Sequence, residues 1–148
     1  MMRNRDLAPG TALVTGASSG IGLEFARQLA AWGAALVMVS IDRDDLEREA
    51  ARIANDYRVP VETLCMDLAR PEAANELYRY CWEKELTIDI LINNAGGGTS
   101  MPILEMTDEA YFKDINTDLL GLFKCLREFG KVMVKQGHGR IINIASIL

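Results

Sequence analysis

The chain has 148 residues, 49% of them hydrophobic and 25% charged, which suits one globular domain with a single core. Its formal net charge is −5 and it shows no basic stripe, which argues against wrapping nucleic acid. The most apolar stretch, Leu29 to Ile41, is too short to span a bilayer and contains Gly33.

The three cysteines, Cys65, Cys81 and Cys125, form no Cys-x-x-Cys or Cys/His cluster, so no metal site is expected. Each is expected to be a small buried hydrophobe. The odd count, and a polar start at Met1–Asp6 with no apolar stretch behind it, imply a reducing, cytoplasmic setting.

In chain order, a short apolar run (Ala12, Leu13, Val14) reads as a first strand. A helix follows, with apolar residues at Ile21, Phe25, Ala26, Leu29 and Ala30. Ala35 to Ser40 is a continuous apolar run, as in a strand buried on both faces. Asp42 to Asp56 reads as a helix with Leu46, Ala50, Ile53 and Ala54 on one side, and Val61 to Met66 as a third strand. Pro71 suits the first turn of a helix that points Ala74, Leu77 and Cys81 inward and ends near Lys84.

Ile88 to Ile92 is a fourth strand. Thr107 then caps one long helix, with Tyr111, Ile115, Leu119, Leu122, Leu126, Phe129 and Met133 along one face. Gly137, His138 and Gly139 end it, and Arg140 to Ala145 is a fifth strand. His138 reads as an exposed turn residue, and Trp32 and Trp82 as core or interface residues. Alternating βα units imply a doubly wound parallel sheet with helices on both faces, in one domain over residues 1–148.

The segment Thr15-Gly16-Ala17-Ser18-Ser19-Gly20-Ile21-Gly22 sits between the first strand and helix. Its glycines allow a sharp turn, and the helix start offers free N–H groups and a positive dipole end, a site for phosphate. The spacing Gly-x-x-x-Gly-x-Gly is not the common dinucleotide fingerprint, and no lysine follows to hold a γ-phosphate. A second loop, Asn93-Asn94-Ala95-Gly96, follows the fourth strand, and Ser146 follows the fifth. All three lie at carboxyl ends of strands, where open α/β sheets bind ligands.

These motifs resemble those of the short-chain dehydrogenase/reductase family, over Thr11 to Leu148. The resemblance implies a Rossmann-like fold of which five strands are present, ending before the family's last two. It implies a cofactor site from Gly16, Ser18, Ser19, Gly20, Ile21 and Gly22 at the pyrophosphate. It places Asp67 and Leu68 at the adenine and Asn94, Ala95 and Gly96 at the ribose. Ser146 matches the catalytic serine, which polarises a substrate carbonyl or hydroxyl.

Two departures limit the reading. The family's Tyr-x-x-x-Lys pair lies beyond the fifth strand, whereas the one such string here is Tyr80 to Lys84, ahead of the fourth. Tyr80 and Lys84 are therefore read as surface or half-buried helix residues, and the 148-residue chain alone is expected to be inactive. The family's asparagine on the long helix aligns, counting from Gly121 or Thr107, with Asp118 and not with Asn116. A carboxylate there would raise the pKa of a nearby tyrosine.

The cofactor is NADP or NAD. Ser40, at the end of the second strand, is neutral where an acidic residue would select NAD, which leans towards NADP with Ser40 and Arg43 as 2′-phosphate contacts. The substrate class implied is an alcohol or ketone, with no nucleic-acid or membrane partner. Self-association is expected through the long helix from Thr107 or through an exposed edge at Ile141–Ile144. A non-catalytic nucleotide-binding fragment, or a piece with no stable fold of its own, are the alternatives.

Overall fold

The computed structural model describes residues 10–98 and 100–145. Five strands form one parallel sheet: β1 (Thr11–Thr15), β2 (Ala35–Ser40), β3 (Val61–Cys65), β4 (Ile88–Asn93) and β5 (Arg140–Asn143). Their order across the sheet is β3-β2-β1-β4-β5. The chain winds outward from β1 to β3, then crosses to β4 on the other side of β1. The β1/β4 boundary is thus the switch point of the sheet.

Side chains alternate along each strand and build two cores. Ala12, Val14, Leu36, Met38 and Ile92 face one side, where α1 (Gly20–Ala31) and α2 (Arg43–Tyr57) cover them with Ala26, Leu29, Leu46 and Ile53. Leu13, Val37, Val39 and Leu91 face the other side, under Leu77 and Cys81 of α3 (Ala73–Glu83) and Cys125 and Phe129 of a later helix. The central register stacks Leu13 between Val37 and Leu91, all fully buried.

The expected helix from Thr107 is divided. It consists of α4 (Asp108–Ile115), a π-helical segment (Asn116–Gly121) and α5 (Leu122–Gln136). A π turn adds a residue and rotates the face that follows it, so a single apolar stripe cannot run through. Only the last part is buried, through Cys125, Phe129 and Met133. Tyr111 and Leu119 are exposed, and Leu122 and Leu126 are half-buried.

Other expectations shift by small amounts. Ile21 points out of α1 and is 60% exposed, while Leu23 takes the inward position. Asp42 stands outside α2 as its cap, and α3 begins two residues after Pro71. β3 ends at Cys65 and β5 at Asn143. Cys65 is exposed, contrary to the expected burial, since it ends an edge strand; Trp32 and Trp82 are exposed on helix flanks, which excludes the core reading of them and leaves the interface one. His138 is an exposed turn residue as expected, with its Nε2 3.3 Å from Asp89 Oδ1. Among the described residues, no helix is long and apolar enough to cross a membrane.

Candidate cofactor site

A cleft of about 740 Å³ opens over the carboxyl ends of β1, β2 and β4. The loop after β1 contributes Gly16, Ser18, Ser19 and Ile21 to its wall, and the loop after β4 contributes Asn94, Ala95 and Gly96. Ser40, Asp67 and Leu68 complete the set of expected residues that line it. Gly20 and Gly22 sit in the same turn and open α1.

The two loops are bonded to each other through Thr15. Its hydroxyl oxygen accepts from the backbone N–H of Asn94 and of Ala95, each at 2.9 Å, and donates to the Ile92 carbonyl at 3.3 Å. Thr15 itself is 2% exposed, and its bond to Ile92 is buried while those from Asn94 and Ala95 are part-buried. The Asn94 side-chain amide donates to the carbonyl oxygens of Thr15 (3.0 Å) and Gly16 (3.2 Å). Gly16 has φ +64°, a left-handed conformation that favours glycine. At Gly22 a Cβ would lie 2.2 Å from the Gly16 carbonyl oxygen, so only glycine fits there.

The start of α1 differs electrically from those of α2 and α4. Asp42 caps α2 by accepting from the Asp45 N–H, with Asp44 and Asp45 in the first turn. Thr107 caps α4 by accepting from the Ala110 N–H, with Asp108 and Glu109 in the first turn. Ser19 caps α1 without a side-chain bond, and no acidic residue occupies its first turn. Its N–H groups and positive dipole end therefore face the cleft with neither a side-chain cap nor a first-turn carboxylate to meet them. A dinucleotide pyrophosphate fits that donor set.

The part of the cleft beyond β2 and β3 carries carboxylates. Asp42, Asp45 and Asp67 line the cleft, and Asp67 Oδ1 accepts from the Ala69 N–H at 2.9 Å. Ser40 is 7% exposed and shares a 2.8 Å hydrogen bond with Ser18. Arg43 lies on the exposed face of α2, 3.2 Å from Glu47, and does not line the cleft. Lys113 is the only lysine or arginine lining it among the described residues.

Asp118 lies in the π-helical segment, and its Oδ1 accepts from the Gly97 N–H at 3.0 Å. The structure thus brings Asp118 to the glycine loop after β4. Ser146 lies outside the described residues. The strand leading to it is fixed by Asn93, whose amide donates to Asn143 Oδ1 (2.9 Å) and whose carbonyl accepts from the Ile144 N–H (2.9 Å).

Tyr80 and Lys84 belong elsewhere, beside edge strand β3. The Tyr80 hydroxyl donates to Glu62 Oε2 at 2.5 Å, and Lys84 Nζ is 3.6 Å from the same oxygen. Burial, reinforced by Glu62, pushes the phenol up to about 12. That is the wrong direction for a general base.

Thr15 ties the two loops and Asp42 and Asp45 line the cleft, roles that the motif spacing does not specify. Thr15 was signalled by its place between a buried strand and a glycine turn, where a hydroxyl can satisfy free backbone groups.

With this geometry in place, the comparison with known proteins is decisive. The short chain dehydrogenase family matches residues 10–148. The chain belongs to that family. An uncharacterized oxidoreductase of Staphylococcus saprophyticus is 38% identical over 142 residues, which cover 96% of this chain and 61% of the relative. L-sorbose reductase from Gluconobacter frateurii, solved with NADPH and L-sorbose, superposes with TM-score 0.88 at 32% identity. That match covers 95% of this chain and 53% of the reductase. An NAD+-bound xylitol dehydrogenase superposes with TM-score 0.84 at 29% identity, covering 95% and 54%. The chain therefore spans about half to three-fifths of the length of the relatives it matches.

Proposed function

We propose that the chain is the cofactor-binding part of a nicotinamide-dependent oxidoreductase acting on an alcohol or ketone. One observation carries the reading: the uncapped, acid-free start of α1 opens on a cleft whose two walls are bonded together by Thr15 and Asn94. The N–H groups from Ser19 to Gly22 would hold the pyrophosphate, and Asn94 to Gly96 the ribose side. When bound, the cofactor supplies or accepts a hydride. Ser146 would hydrogen-bond the substrate oxygen. The 148 residues hold no Tyr-x-x-x-Lys after Ser146, so on their own they would bind cofactor without turning over substrate.

Ser40 and Arg43 lean towards NADP, whereas the carboxylates of Asp42 and Asp45 in the cleft support NAD(H), which is the preference proposed here. Ser40 hydrogen-bonds Ser18, Arg43 stands outside the cleft beside Glu47, and Asp42 and Asp45 would repel a 2′-phosphate. Asp42→Ser keeps a capping oxygen and removes one charge. It is expected to shift the NADPH/NADH affinity ratio about ten-fold towards NADPH, the effect of one charge across a solvated cleft. NADPH binding more tightly than NADH to the unaltered chain would refute the preference.

Asp118 would act on the proton-transferring tyrosine of a completed enzyme, raising its pKa by its charge. Asp118→Asn in such an enzyme should move the pH–rate profile towards lower pH. An unchanged profile would leave Asp118 as a tie to Gly97 alone.

Self-association would use the apolar surface of Tyr111, Phe112, Leu119 and Phe123, which are 50–58% exposed, or edge strand β5 with Ile142 42% exposed. A monomeric chain by light scattering would contradict this.

A further inference from the structure

A second cavity, of about 470 Å³, lies between α3 and α5 where β4 begins, at the opposite end of the sheet from the cofactor cleft. Its walls are mostly apolar and aromatic: Tyr78, Trp82, Leu86, Phe129 and Val132. We propose that it is a binding site for a small organic cation with an aromatic or aliphatic body.

Volume and lining are those of a small-molecule site. The sign of the preferred charge follows from three features. First, among the described residues Glu85 is the one charged side chain in the lining, with no lysine or arginine beside it. Second, α3 ends at Glu83 and α5 at Gln136, so two helix C-termini meet at this cavity. Their carbonyl ends carry partial negative charge and attract cations. Third, Trp82 lines the cavity and is 72% exposed, so its indole is accessible to a cation.

The backbone at Glu85 is also unusual. Its φ is +55°, in the left-handed region that favours glycine. The turn is held by the Glu85 N–H on the Trp82 carbonyl (3.0 Å) and the Leu86 N–H on the Cys81 carbonyl (2.9 Å). Glycine would make this turn without strain, whereas the residue present places a carboxylate at the cavity mouth. Nothing in the cofactor reading uses this cavity, so the two proposals stand or fall separately.

Benzyltrimethylammonium is the probe, titrated into the full 148-residue chain carrying Trp32→Phe, which leaves Trp82 as the sole tryptophan. The expected result is a saturable change in Trp82 emission, with binding weakened about five- to ten-fold by Glu85→Gln, and no saturable change with phenylacetate. Circular dichroism verifies that both variants are folded, as expected for substitutions at exposed positions. A response that never saturates, equal binding of phenylacetate, or an affinity indifferent to Glu85→Gln would each overturn the proposal.

Discussion

The side-chain amide of Asn94 donates to the Gly16 carbonyl at 3.2 Å, so the loop that ends β4 holds the loop that ends β1. The glycine turn owes its shape to this bond and to the Thr15 hydroxyl beneath it, as well as to its own flexibility. The same constraint makes the site sensitive to changes that touch no ligand.

Thr15→Val removes the acceptor used by two part-buried N–H groups while keeping the side-chain volume. Leaving a buried donor unsatisfied costs about 1–3 kcal/mol; these two are only part-buried and can be partly rehydrated, so a loss of about 2 kcal/mol in total is expected in denaturant unfolding. Cofactor affinity should fall as well, because the loop after β4 loses its anchor. Thr15→Ser should restore most of both.

Gly22→Ala should be the most damaging single methyl group in the site. The added carbon would lie 2.2 Å from the Gly16 carbonyl oxygen and 2.5 Å from the Asn94 amide nitrogen. Relief requires α1 to move away from the loop. Cofactor binding by calorimetry is expected to vanish, with destabilisation of about 1–3 kcal/mol.

Glu49 is 4% exposed and accepts hydrogen bonds from Arg27, Arg48 and Arg52. Burial alone would raise its pKa, but Arg27, Arg52 and Arg48 together outweigh it and hold the carboxyl below the usual carboxylate range. A depressed folded-state pKa means stability that is complete above the ordinary carboxylate range. It is lost as pH falls through that range towards the folded value. Glu49→Gln should cost about 1–2 kcal/mol at neutral pH, since the arginines remain partly solvated, and should flatten the acid limb of the stability profile.

The cysteines should separate by reactivity. Burial pushes Cys81, beside Cys125, and Cys125 itself up to about 12, whereas Cys65 is exposed. Ellman's reagent should therefore titrate one thiol rapidly in the folded chain and three after unfolding. Cys65→Ser should abolish the rapid phase.

Much of the fold was legible because strand patterning is strict here. Leu13, Val37 and Leu91 sit in runs that are apolar on both faces, and such runs admit few alternatives to a buried parallel sheet. The helix from Thr107 was less legible, because a π turn at Asn116–Gly121 leaves no mark in apolar spacing. Trp82 shows the other limit: a hydrophobic side chain predicts burial on average, not at a particular helix flank. In the site, the glycine and asparagine motifs were read from spacing. The hydrogen bond of Ser40 was not, because it depends on the turn after β1 meeting the end of β2, whereas the Arg43–Glu47 pair, four residues apart on one helix, was open to reading from spacing.

The most direct test of the account is a backbone-amide NMR titration of the 148-residue chain with NADH. The account predicts saturable shifts at the amides of Ser18 to Gly22 and Asn94 to Gly97, lost in Gly22→Ala, with Thr87 and Ile88 at the far end of the sheet unaffected. Saturable binding that leaves those two loops unshifted, or no binding at millimolar NADH, would contradict it.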